Sequence, residues 1–124
     1  MLLGGAVRER IRVYHSIGGG TASEVADQAR ALYEQWGFNT FKLSPYRIPP
    51  DTNRWGRVCD LAREFFGELR DLTPENWEFA FDPHGKIFEP IRALQLANAL
   101  APYDPYFYEA VSYTHLTLPT ILLV

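Results

Sequence analysis

Apolar positions along this chain change period several times, and each change marks an element. Ile11-Arg12-Val13-Tyr14-His15-Ser16-Ile17 is rich in β-branched and aromatic residues and stops at Gly18-Gly19-Gly20, which predicts a strand running into a loop. Thr21-Ala22-Ser23-Glu24 then has capping-box spacing. Val25, Ala29, Leu32, Tyr33 and Trp36 recur at helical spacing and Gly37 supplies a stop, so the pattern predicts a helix over 22–36. Phe38 to Leu43 is the next predicted strand, closed by Pro45. Beyond Pro49-Pro50, the stripe Trp55, Val58, Ala62, Phe65, Phe66 and Leu69 predicts a second amphipathic helix over about 53–70. Thr73 to Asn76 reads as a turn and Trp77 to Phe81 as a third strand. Glu89-Pro90 opens a third helix whose apolar face is expected at Ile91, Leu94, Ala97 and Ala101. Pro102 and Pro105 then bracket a short connection into a fourth strand, Tyr106 to Glu109.

The order is β-α-β-α-β-α-β, and the strands are apolar nearly throughout, as expected of a parallel sheet covered on both faces. Right-handed crossovers allow two α/β architectures, an open doubly wound sheet or the first half of a (β/α)8 barrel, and periodicity does not choose between them. Candidate chemistry sits where strands end. Residues i and i+2 of a strand point to one face, so Asp82 and His84 would converge at the carboxyl end of the third strand, where parallel barrels place their sites.

Composition narrows the function classes. With 124 residues, 47% hydrophobic, the chain has room for one modest domain. A net charge of -3 with interspersed signs gives no basic patch and argues against a nucleic-acid partner. Cys59 is the single cysteine, which excludes an internal disulfide and fits a cytoplasmic setting. No signal-peptide pattern opens the sequence and no apolar run reaches the ~20 residues of a membrane span.

Taken one at a time, the polar residues have plain explanations. Asp-Pro-x-Gly is a common turn sequence, His84 could be a solvated loop residue, Lys42 a strand-end lysine reaching water and Glu109 a charge at the end of a ladder. Gly18-Gly19-Gly20 before a helix could cradle phosphate, but the lysine and serine of a P-loop are missing, which leaves a flexible loop. His15 could face a barrel mouth, although a role away from any substrate suits it better.

The joint pattern is more specific. Leu2-Leu3-Gly4-Gly5, Gly37-Phe38-Asn39-Thr40-Phe41-Lys42-Leu43, Asp82-Pro83-His84-Gly85 and Ala101-Pro102-Tyr103-Asp104-Pro105-Tyr106-Phe107-Tyr108-Glu109, in this order and spacing, resemble the enolase superfamily. Within it, the likeness is to mandelate racemase-like acid-sugar dehydratases such as galactonate and mannonate dehydratases. The resemblance implies a (β/α)8 barrel of which residues 11–109 would be the N-terminal half, with 1–10 a linker from a capping domain. It implies a Mg2+ site of three carboxylates at the ends of the third, fourth and fifth strands, with Asp82 matching the first and Glu109 the second; oxygen ligands suit such a hard cation. In the family the metal grips the substrate carboxylate and stabilises the enediolate left when the α-proton is removed. His84 matches the histidine that protonates the departing β-hydroxyl, and Lys42 the first lysine of a Lys-x-Lys pattern that holds the carboxylate. Ser44 stands where the second lysine would be, which favours a dehydratase whose base comes from a later strand over a two-base racemase or epimerase. The implied partner is a small-molecule sugar acid, and the implied whole enzyme is a homo-oligomer.

The sequence after Glu109 leaves the family pattern. Val111-Ser112-Tyr113-Thr114-His115-Leu116-Thr117-Leu118-Pro119-Thr120 can be encoded by GTC TCT TAT ACA CAT CTG ACG CTG CCG ACG, the reverse complement of a transposase-type sequencing adapter. Residues 110–124 are therefore expected to be an adapter-derived, non-native tail. On this reading the chain is an inactive fragment of a Mg2+-dependent dehydratase lyase, with an open sheet edge that favours self-association and broad unfolding. A short non-catalytic α/β module that binds a partner is the alternative from another class.

Overall fold

The computed structural model describes residues 4, 5 and 7–109; the expectations for the Leu2-Leu3 segment and for residues 110–124 lie outside the described residues. The elements run β1 (His15–Ser16), α1 (Ala22–Trp36), β2 (Thr40–Leu43), α2 (Trp55–Asp71), β3 (Glu78–Phe81) and α3 (Pro90–Leu100), followed by a 3-10 turn, Ala101–Tyr103. Helix α1 begins and ends where its local chemistry directs. The Thr21 hydroxyl accepts from the Glu24 N–H at 3.2 Å, and the Glu24 carboxylate accepts in return from the Thr21 N–H at 3.3 Å. Gly37, at φ 76°, closes the helix by donating its N–H to the Tyr33 carbonyl at 2.8 Å, a left-handed turn that glycine adopts without a Cβ penalty.

The three strands form one parallel sheet in the order β1-β2-β3, with His15 opposite Phe41 and Phe41 opposite Phe79. After α3 the chain returns alongside β3. Tyr106 donates its N–H to the Phe79 carbonyl at 2.8 Å, Phe81 to Phe107 at 3.0 Å and Glu109 to Phe81 at 2.8 Å, and Phe81 pairs in parallel with Tyr108. The expected fourth strand is thus a short parallel pairing rather than a full strand. Its return to β3 and not to β1 excludes the doubly wound order over these four segments. Successive right-handed crossovers in such an order place every helix on one face.

That face carries the core. Phe41 and Leu43 of β2 and Phe79 and Phe81 of β3 share one buried cluster with Val25 and Ala29 of α1, the Val58-Ala62-Phe65-Phe66-Leu69 stripe of α2, and Ala93, Leu96 and Leu100 of α3. The Phe66 ring meets Phe81 edge-on at 4.0 Å between centroids. The opposite face presents Thr40 and Lys42 of β2 beside Glu78 and Ala80 of β3, by the alternation of side chains along a strand.

Three further expectations are corrected. The first strand shrinks from Ile11–Ile17 to two residues, with Ile11 and Val13 exposed. A β-branched run forms a strand only where a partner offers ladder bonds, and the β1–β2 register pairs His15 and Ser16 alone. The buried face of α3 is Ala93, Leu96 and Leu100, while Ile91 and Leu94 are exposed. This helix is apolar on more than one side, so its period fits two faces and only docking against α2 selects one. In α1, Tyr33 and Trp36 are likewise exposed rather than part of the buried stripe, although the Tyr33 ring reaches Trp77 at 5.3 Å.

Candidate functional site

Lys42, Asp82, His84 and Glu109 meet at the carboxyl ends of the strands. Lys42 is paired in register with Ser16 of β1 and Ala80 of β3, so its side chain rises from the sheet face that carries no helix. Asp82 follows β3 directly and is fixed by its N–H, which donates to the Leu43 carbonyl at 3.0 Å. Glu109 is fixed in the same way on the far side of β3 by its bond to Phe81. The Lys42 Nζ lies 2.8 Å from Asp82 Oδ2 and 3.2 Å from Glu109 Oε2, bridging residues from three consecutive segments. The Tyr14 ring stands 5.5 Å from the same ammonium, within cation–π reach.

Asp82 organises the turn after it. Its Oδ1 accepts the His84 N–H at 3.0 Å, an Asx-type turn, while its Oδ2 contacts His84 Nε2 at 3.1 Å. His84 and Gly85 both have positive φ, 55° and 64°, and the left-handed His84 backbone is what folds the imidazole back onto the carboxylate two residues earlier. Asp82 is almost wholly buried, whereas 62% of the His84 side chain is exposed and borders a cavity of about 330 Å3 with Pro49, Pro50 and Phe88.

The electrostatics follow from these contacts. Burial alone would raise the Asp82 carboxyl, but the hydrogen bonds from Lys42 and from the His84 backbone, with the charges of His84 and Lys42, hold it below its ordinary value. The Lys42 ammonium is raised, chiefly by its bond to Asp82 and against desolvation, with Glu109 contributing further.

All four residues singled out from the sequence are therefore brought together, and His15 is not. Its ring packs against Phe38 at 5.2 Å, and it pairs with Phe41 on the helix-covered side of the sheet. Sequence reasoning missed the residues that brace the cluster. The Tyr46 hydroxyl donates to the Pro83 carbonyl at 3.4 Å, tying the loop after β2 to the Asp82–Gly85 turn. The Arg47 guanidinium lies 3.8 Å over the Phe65 ring and donates to the carbonyls of Gly19 at 3.0 Å and Ser44 at 2.6 Å, joining the loops after β1 and β2. The only sequence signal for them was their place just after a strand, in Pro45-Tyr46-Arg47.

A hard divalent cation takes carboxylate oxygens, and Asp82 and Glu109 converge on one positive centre, so the donor chemistry fits. The number is short, since no group of three His, Cys, Asp or Glu that could hold a metal occurs among the described residues. No helix among the described residues is long and apolar enough to cross a membrane.

Fold and site together define a parallel α/β protein that gathers an ammonium, an imidazole and two carboxylates at the carboxyl ends of its strands. No family model matches the chain. It is 36% identical over 108 residues to the D-galactonate dehydratase of Pectobacterium atrosepticum, an alignment covering 87% of this chain and 28% of that protein. Among solved structures, an enolase from Agrobacterium radiobacter, a proposed galactarate dehydratase with bound sodium and L-malate, superposes with a TM-score of 0.85 at 46% identity, over 90% of this chain and 29% of that one. An enolase from Pantoea ananatis with bound D-gluconate and Mg matches with a TM-score of 0.75 at 25% identity, over 94% of this chain and 35% of that one. Its homologues are thus D-galactonate dehydratase and members of the enolase and mandelate racemase superfamily, and the chain spans about a third or less of the length of these relatives.

Proposed function

We propose that this chain is the first half of the barrel of a sugar-acid dehydratase, a lyase that removes the α-proton and the β-hydroxyl of an acid sugar to leave a 2-keto-3-deoxy acid. The observation that carries the reading is the convergence of Lys42, Asp82, His84 and Glu109 on one strand-end cluster in a chain whose homologues are dehydratases of this superfamily. Asp82 and Glu109 would hold the Mg2+ that the Pantoea relative contains. When bound, that ion supplies Lewis-acid polarisation of the substrate carboxylate, which acidifies the neighbouring C–H.

The chain's own residues do the rest of their share by position. Lys42 offers the carboxylate an ammonium at the floor of the site. His84, exposed on the cavity side and oriented by Asp82, is placed to give a proton to the leaving hydroxyl, so that it departs as water. Tyr46 and Arg47 keep the loops that carry these groups in place. The base that takes the α-proton and a third metal ligand would come from later strands, and the 124-residue chain alone is inactive.

The test is to read the source DNA across codons 105–125 without a transposase adapter, express the longer frame, and assay galactonate, galactarate and gluconate with Mg2+ for 2-keto-3-deoxy acid. Turnover that Asp82→Asn and His84→Asn abolish supports the reading. A stop codon after Val124 in the source DNA, or a longer product that epimerises these acids without dehydrating them, overturns it.

A further inference from the structure

The Lys42 ammonium occupies the point on which both carboxylates converge, 2.8 Å from Asp82 and 3.2 Å from Glu109. The Asp82 carboxylate cannot readily swing away, because its Oδ1 accepts the His84 N–H at 3.0 Å and its own backbone N–H is bonded to the Leu43 carbonyl. Lys42 can, since its head sits on a flexible four-carbon stem and the Tyr14 ring 5.5 Å away gives the ammonium a second contact. The Asp82 and Lys42 side chains are only 6% and 16% exposed, so water screens the charges between them poorly, and a second positive centre brought to these oxygens is strongly repelled by the first.

We propose that Lys42 is an internal counter-ion that holds Asp82 and Glu109 together and competes with a divalent cation for them, so that uptake of the cation and release of Lys42 are a single event. The proposal rests on the reading of Asp82 and Glu109 as cation ligands. Its consequence is an ordered site: Lys42 becomes available to a ligand's carboxylate only once the cation has taken its place. An acid sugar that arrives first meets an ammonium already neutralised by two carboxylates, and binds poorly.

The experiment measures Mg2+ affinity calorimetrically for the 124-residue chain and for Lys42→Met and Asp82→Asn, and follows the 15N-labelled lysine ammonium signals during the titration. Lys42 and Lys86 are the chain's two lysines, so Lys86 is an internal control. Methionine keeps the length of the stem without the charge. Expected are a roughly tenfold tightening in Lys42→Met, a loss of binding in Asp82→Asn, and a Lys42 signal that moves with Mg2+ while that of Lys86 stays. If Asp82→Asn binds as the parent chain does, the carboxylates are not ligands and the site reading falls with the proposal. If Asp82→Asn weakens binding but Lys42→Met does not strengthen it, competition is overturned and the site reading stands. Should Lys42→Met fail to fold, the parent chain decides, since a Lys42 signal unmoved at Mg2+ saturation refutes displacement.

Discussion

Replacing Asp82 by asparagine keeps the side chain's shape and an oxygen for the His84 N–H, but removes the charge that Lys42 bonds at 2.8 Å. A hydrogen bond between charged groups in a buried setting contributes about 1.5–3 kcal/mol. The lower half of that range applies here, because Lys42 keeps Glu109 at 3.2 Å, a carboxylate whose side chain is 42% exposed and therefore worth below about 1 kcal/mol to it. Asp82→Asn should thus ease local opening of the β2–β3 strand ends about tenfold or somewhat more, and Glu109→Gln several-fold at most. The assay is amide hydrogen exchange at Asp82 and Glu109, whose N–H groups donate to Leu43 and Phe81, compared between variants at one pH. The bridge weakens at both extremes of pH. The folded Asp82 carboxyl lies below its ordinary 3.8, so its contribution is complete above 3.8 and fades as pH falls through the folded value. Lys42 lies above its ordinary 10.5, so its contribution is complete below 10.5 and is lost only as pH rises through its folded value. The difference between Asp82→Asn and the parent chain should therefore be constant from pH 4 to 10, as flagged by those two values, and about zero well below 3.8. Equal protection at neutral pH, or a difference that persists undiminished in acid, would refute the bridge as drawn.

Two further outcomes test the framework that carries the site. Phe66→Ala removes a ring that is 1% exposed and seated on Phe81, and should cost about 3–5 kcal/mol, seen as loss of near-ultraviolet circular dichroism; a variant with parent-like signal and midpoint would show that the α2–β3 contact is not closely packed. Thr21→Ala breaks the capping box and should cost about 1 kcal/mol, read as faster amide exchange in the first turn of α1, with Thr21→Ser restoring protection.

What the sequence by itself determined is whatever depends on neighbours in the chain. The limits of α1 follow from Thr21, Glu24 and Gly37, and the buried stripe of α2 from six apolar residues at one helical spacing, because capping and amphipathic period act over a few residues. That Lys42, Asp82, His84 and Glu109 were worth considering together was legible for a different reason, a joint spacing that resembles a known family, and the structure brings these four side chains into one cluster. Tertiary structure decided the rest. β1 is two residues and not seven because its register on β2 offers no more pairing, and α3 buries Leu96 and not Leu94 because α2 and the sheet accept only one of its two apolar faces. The return of Tyr106–Glu109 to β3 settled the strand order. Lys42 and Glu109, 67 residues apart, meet across Asp82 only through parallel registers, and no local period encodes a register between strands separated by a helix.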